Sequence, residues 1–129
     1  MKLHHIGIVV KDIDNSIDIY NKLGYKKVSE KIIDNIQNNI LIFLHNDISN
    51  ETLELIQPMN KNSTVFNSKV GYNHFCYEVN NLDDYVESFK KEKIGKIFTH
   101  KITAPAFENK NIIFAILKNG TIIEFMEMK

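Results

Sequence analysis

Two histidines and two glutamates are the residues of this chain whose types and spacing could do chemistry. His5 and His74 each open a short run of strand-like character, His5 to Val10 and His74 to Val79. Glu54 and Glu124 each sit among large apolar residues, in Leu53-Glu54-Leu55-Ile56 and Ile123-Glu124-Phe125-Met126. Side chains alternate between the two faces of a strand. His5, Gly7 and Val9 therefore share a face, as do His74, Cys76 and Glu78, Glu54 and Ile56, and Glu124 and Met126. In each strand the other face is apolar and suits a covering helix, which leaves the His or Glu face for a cleft. A carboxylate among large apolar neighbours is costly to bury unless it is paired or coordinated. Two imidazoles and two carboxylates converging in one cleft satisfy one another through a divalent ion such as Ni, Co, Zn, Mn or Fe(II). An octahedral shell would keep two exchangeable positions for substrate oxygens. A single strand histidine is more often structural, but four such residues at equivalent places in a repeat point to a metal site. Gly7, with no side chain, leaves room for a ligand beside His5, or equally for a tight sheet contact.

The elements that must position these residues are written twice. The run from His5 to Asp14 aligns with the run from His74 to Asp83, and Ile13, Asp14, Ile17 and Tyr20 fall on Leu82, Asp83, Val86 and Phe89. Each half reads as a strand, then a helix with apolar residues at i, i+4 and i+7 and with Asp or Asn near its start. Gly24 and Gly95 are expected to close the two helices. Ile40 to Leu44 and Ile112 to Leu117 read as strands, and so do the two Glu-bearing runs. Each half is thus predicted to be a βαβββ module, spanning about residues 1–60 and 70–129, with a polar linker at about 58–70. The expected architecture is α+β: one domain, residues 1–129, in which two modules form a curved mixed sheet around a metal-binding cleft, helices outside.

Composition narrows the partners. Lys plus Arg and Asp plus Glu are both 16, and every cation is lysine, so there is no basic excess to serve a nucleic acid or an anionic membrane. No apolar run approaches membrane-spanning length. The lone Cys76 has no internal disulfide partner, and the chain enters a strand with no apolar leader, so a cytoplasmic protein with a small-molecule substrate is expected. Cys76, two residues from His74, either lines the pocket or is a small buried hydrophobe. His4, His45 and His100 show no partner pattern and are expected at the surface or at strand ends.

The runs beginning His4-His5-Ile6-Gly7, Leu53 to Pro58, Asn73 to Val79 and Thr121 to Met126 resemble the vicinal oxygen chelate superfamily, in its glyoxalase I and methylmalonyl-CoA epimerase branch. The resemblance covers essentially the whole chain. It implies the glyoxalase/bleomycin-resistance-type fold, His5, Glu54, His74 and Glu124 as ligands of one divalent ion, most naturally Ni, Co or Zn, and a homodimer. The stretch from Lys101 to Asn109 resembles a loop that borders the site in related proteins, a lid with Phe107 as an apolar wall, though an ordinary connecting loop explains it nearly as well. Acyl-CoA epimerases of this branch usually carry Gln at the second ligand position and a further acid on the preceding strand. Here the ligand is Glu54 and Ile40 to Leu44 holds no acid. Both departures favour a glyoxalase I-like lyase that isomerises a 2-oxoaldehyde thiol hemithioacetal to a 2-hydroxyacyl thioester through an enediolate, with Glu124 as ligand and base. The lack of arginine, the usual grip on glutathione carboxylates, points the other way. The alternatives are an acyl-CoA epimerase, a non-catalytic small-molecule-binding relative, and a ring-cleaving Fe(II) dioxygenase, which would leave Glu54 without a role. Whether one chain or two builds each site stays open.

Overall fold

Each half of the chain begins with a strand that runs directly into a capped helix. The computed structural model describes residues 1–128, and these resolve into two compact units: His5–Asn73, and His74 onward together with Met1–His4. In the first unit β1 (Lys2–Val9) leads to α1 (Ile13–Asn21). The Asp12 carboxylate accepts the Asn15 N–H at 3.1 Å, filling one of the orphan donors of the first turn. Ile13 and Ile17 on the inner stripe of α1 pack with Val10, Ile42, Leu44 and Leu55 in one apolar core. Beyond α1 come β2 (Lys26–Lys27), β3 (Ile32–Asp34), β4 (Asn39–Asn46) and β5 (Glu51–Pro58). The antiparallel β4–β5 pair runs from Asn39 opposite Pro58 to Asn46 opposite Glu51. β5 then lies parallel to β1, with Ile6 opposite Leu53 and Val9 opposite Ile56.

The second unit repeats the plan. β6 (Gly71–Val79) leads to α2 (Leu82–Glu92), where the Asn81 side chain accepts the Asp84 N–H at 2.9 Å. β7 (Gly95–Ile97), β8 (Ile102–Ala104), a 3-10 turn at Pro105–Phe107, β9 (Lys110–Leu117) and β10 (Ile122–Glu127) follow. β9 and β10 are antiparallel, and β10 runs parallel to β6. Leu82 and Phe89 of α2 meet Val79, Ile113, Ala115, Ile123 and Phe125. The fold is α+β with mixed strand pairing, as expected.

β2 with β3, and β7 with β8, are single strands broken by a bulge. Lys27 faces Leu44 and Ile32 faces Leu41, so residues 28–31 have only Ile42 and Phe43 opposite them. Ile97 faces Ala115 and Ile102 faces Ile112, so residues 98–101 have only Ile113 and Phe114. Counting each pair as one strand gives βαβββ in both halves.

Two local expectations change. Gly95 does not close α2; Lys93 does, in the left-handed region at φ 56. Gly95 lies in β7, where a Cβ would stand 2.3 Å from the Ile116 carbonyl oxygen, so it is the close approach of β7 to β9 that needs glycine. Gly24, at φ +98, does serve the chain reversal after α1. The polar stretch after Pro58 is fastened to the β3–β4 turn: Met59 and Thr64 donate to the Asn38 and Gln37 carbonyls at 2.9 and 3.0 Å, and the Ser63 hydroxyl donates to Asn39 Oδ1. Among the described residues no helix is long and apolar enough to cross a membrane.

Candidate functional site

Register places each glutamate next to its histidine strand. Glu54 is opposite Gly7 on β1, and Glu124 is opposite Cys76 on β6. Gly7 and Cys76 lie two residues beyond His5 and His74 and share their faces. In the first unit His5 Nε2 stands 3.5 Å from Glu54 Oε1; in the second His74 Nε2 stands 3.0 Å from Glu124 Oε1. The helix-facing side of each sheet carries the core residues, as alternation requires: Leu55 and Ile42 in one unit, Phe125 and Ile113 in the other.

All four side chains are buried, with relative exposures of 1, 5, 2 and 3% for His5, Glu54, His74 and Glu124. A buried carboxylate is tolerated only with a compensating partner. The donor set, two imidazole nitrogens and two carboxylates, is of the kind that could hold a metal ion. The spacing within each pair fits that use. Bonds of about 2.1 Å to one ion put neighbouring donors about 3.0 Å apart at a right angle and about 3.4 Å apart at a tetrahedral one. The observed 3.0 and 3.5 Å are of that size.

A phenylalanine completes each pair. Phe43 faces Glu54 across the β4–β5 ladder, and its ring meets the His5 ring edge-on, centroids 5.5 Å apart at 69°. Phe114 faces Glu124 across β9–β10 and meets His74 at 5.6 Å and 84°. Such edge-to-face contacts fix ring orientation. Neither phenylalanine was among the residues singled out from the sequence, although each occupies the same place in its repeat. Asp34 was missed as well. It is 1% exposed, pairs with Asn39 at the end of β3 and so shares the Glu54 face; its Oδ1 accepts the Ile36 and Gln37 N–H groups at 2.9 Å.

The bulges are tied to the helices by equivalent ion pairs, Lys31 to Asp14 at 2.5 Å and Lys101 to Asp83 at 2.8 Å. The hydrogen bond from Lys101 to Asp83 raises the Lys101 pKa. Of the other residues marked from the sequence, Cys76 is wholly buried. Phe107 is buried in the 3-10 turn, its ring edge-on to His4 at 5.3 Å and 87°, so His4 has an aromatic neighbour rather than open surroundings. His45 is half-buried near the end of β4, with Nδ1 2.9 Å from Thr52 Oγ1. His100 is exposed in the second bulge, as expected of a surface residue.

A mixed sheet with one helix per half and buried His–Glu pairs at matching rungs defines a recognised class. Residues 4–122 match the family model described as the Glyoxalase/Bleomycin resistance protein/Dioxygenase superfamily, and the chain belongs to that superfamily. Among its curated relatives, the mitochondrial methylmalonyl-CoA epimerase of Homo sapiens is 28% identical over 131 residues, covering 95% of this chain and 72% of that protein. The corresponding enzyme of Dictyostelium discoideum is 27% identical over 134 residues, covering 98% and 78%. The crystal structure of methylmalonyl-CoA epimerase from Mycobacterium tuberculosis superposes with a TM-score of 0.82 at 24% identity, covering 98% of this chain and 87% of that one.

These relatives overturn the glyoxalase I-like expectation: matches over nearly the whole chain are named for epimerisation. The two features that had favoured the lyase are weak physically. Glu and Gln both present a side-chain oxygen at position 54, so that exchange does not choose a reaction. Ile40 to Leu44 indeed holds no acid, but a neighbouring strand can bring one to that face, as β3 does with Asp34.

Proposed function

We propose that this protein is a divalent-metal acyl-CoA epimerase whose ion is held by His5, Glu54, His74 and Glu124. The observation that carries the reading is the repeated pair: a buried histidine beside a buried glutamate, at the same rung of each half, with spacing that suits a shared ion. The curated relatives supply the substrate class, a 2-carboxyacyl thioester of coenzyme A.

The bound ion would supply Lewis acidity to two substrate oxygens and so acidify the C–H between the two carbonyl groups. The Glu124 carboxylate takes that proton and passes it to solvent, flattening the carbon, and a solvent-derived proton delivered to the opposite face inverts the centre. Edge contacts from Phe43 and Phe114 hold the imidazoles in the orientation that presents Nε2. The burial of His5, Glu54, His74 and Glu124 keeps water from these groups, which strengthens every charge interaction there. Gly7 and Cys76, the two small residues on the ligand-bearing faces, leave space for the acyl group, and Phe107 is an apolar wall. The reading includes one domain, a cytoplasmic setting and a homodimer; the last is checked by sedimentation of the metal-loaded protein.

The test is exchange. Metal-stripped protein reconstituted with Co(II), Ni(II) or Zn(II) is mixed with methylmalonyl-CoA in D2O. Metal-dependent deuterium incorporation at the 2-carbon, absent in Glu124→Gln, is the expected result. Tight ion binding with no exchange would overturn the substrate assignment, and failure to bind any ion would overturn the ligand set.

A further inference from the structure

In each half the bulge supplies a hydroxyl at one point, and that point is the residue behind the histidine. A regular antiparallel partner would offer a main-chain carbonyl to the N–H of Phe43. The bulge removes it, and Ser29 Oγ accepts that N–H instead at 3.0 Å, while the Phe43 carbonyl accepts the Val28 N–H at 3.0 Å. In the other half Thr99 Oγ1 accepts the Phe114 N–H at 3.0 Å, and the Phe114 carbonyl accepts the Phe98 N–H at 3.0 Å. Two unrelated stretches, Val28 to Lys31 and Phe98 to Lys101, thus keep a hydroxyl residue, a lysine two places on that pairs with the helix, and a bulge of the same size.

We propose that Ser29 and Thr99 are positioning residues for the metal site: their hydroxyls fix the Phe43 and Phe114 backbones, and through them the His5 and His74 rings. This rests on the four-ligand reading given above. The path is short in both halves. The hydroxyl holds the phenylalanine amide, the ring of the same phenylalanine packs edge-on against the ligand imidazole, and its Cα partner across the ladder is the ligand glutamate. Moving that backbone point shifts both donors of a pair together. Partners outside the ligand set commonly tune metal affinity by about 10- to 100-fold.

The test compares Co(II) affinity and the Co(II) d–d absorption of the full-length wild type with Ser29→Ala, Ser29→Cys, Thr99→Val, and the hydroxyl-keeping Ser29→Thr and Thr99→Ser. Loss of about 10-fold or more in affinity with an altered d–d band is expected in Ser29→Ala and Thr99→Val. Ser29→Cys should fall between Ser29→Ala and wild type, because sulfur is a weak acceptor, and Ser29→Thr and Thr99→Ser should stay within about 2-fold of wild type, because their hydroxyl still accepts the N–H. Wild-type affinity and spectrum in Ser29→Ala and Thr99→Val would overturn the proposal whatever their melting temperatures. So would equal loss in the hydroxyl-keeping variants, which would mark the position as merely structural. If the wild type itself binds no Co(II), it is the four-ligand reading that has failed.

Discussion

The two halves agree around the histidine–glutamate pair and diverge elsewhere. The helix cap, the Lys–Asp tether, the bulge hydroxyl, the phenylalanine and the buried histidine and glutamate occur in each. By contrast, Gly7 is replaced by Cys76, Val9 by Glu78, and Tyr25, just ahead of the first bulged strand, by Gly95. Tyr25 donates to Glu51 at the far end of β5, whereas Gly95 lets β7 press against the Ile116 carbonyl. Phe43 is buried while Phe114 is half-buried. The shared parts form a connected path from helix start to the histidine–glutamate pair, and the divergent parts answer local packing. Symmetry here belongs to the site, not to the core as a whole.

The largest effect should come from breaking the equivalence of the two glutamates. Glu124→Gln is expected to lower kcat for deuterium exchange by about 10²–10⁴-fold, while Glu54→Gln, which keeps an oxygen donor, should cost far less. Equal losses would show that both carboxylates are needed as charges. His5→Ala and His74→Ala are each expected to weaken Co(II) binding by about 100-fold or more, since each removes a ligand from a shared ion. A half whose histidine can be lost without effect would show that the ion sits in the other half alone.

Gly95→Ala tests the divergent packing. With the new Cβ 2.3 Å from a backbone oxygen, a cost of about 2 kcal/mol is expected, read as a lower urea midpoint at unchanged slope. An unchanged midpoint would show that β7 can stand off from β9. The smallest effect concerns Tyr25, whose pKa is raised to about 12 by burial and by Glu51. A raised folded-state pKa gives stability that is complete below the unfolded value near 10 and is lost as pH climbs toward 12. Thermal melts of the wild type should therefore fall more steeply above pH 10 than those of Tyr25→Phe; parallel curves would remove Tyr25 from the account.

What the sequence made legible was what repeats at short range. The strand parity of His5, Glu54, His74 and Glu124 and the apolar stripes of α1 and α2 follow from periods of 2 and 3.6 residues, and the Asp and Asn residues near the helix starts marked the caps. The bulges were hidden because Val28 to Lys31 and Phe98 to Lys101 hold no Gly, Pro or Asn to mark an irregularity, and only ladder register shows that four residues oppose two. Asp34 was hidden for the same reason, since its strand is three residues long. The reaction type was hidden because a ligand oxygen can come from Glu or Gln alike.

The parallel pairing of β1 with β5, and of β6 with β10, sets the order of assembly. In each half the first strand pairs in parallel with the last one, which follows the helix, the bulged strand and the first strand of the antiparallel hairpin. Such distant pairings close late, because loop entropy must be overcome before they gain contacts. His5 therefore meets Glu54, and His74 meets Glu124, as each half completes its sheet, so the donor pairs are a product of the final step of folding rather than a seed for the first.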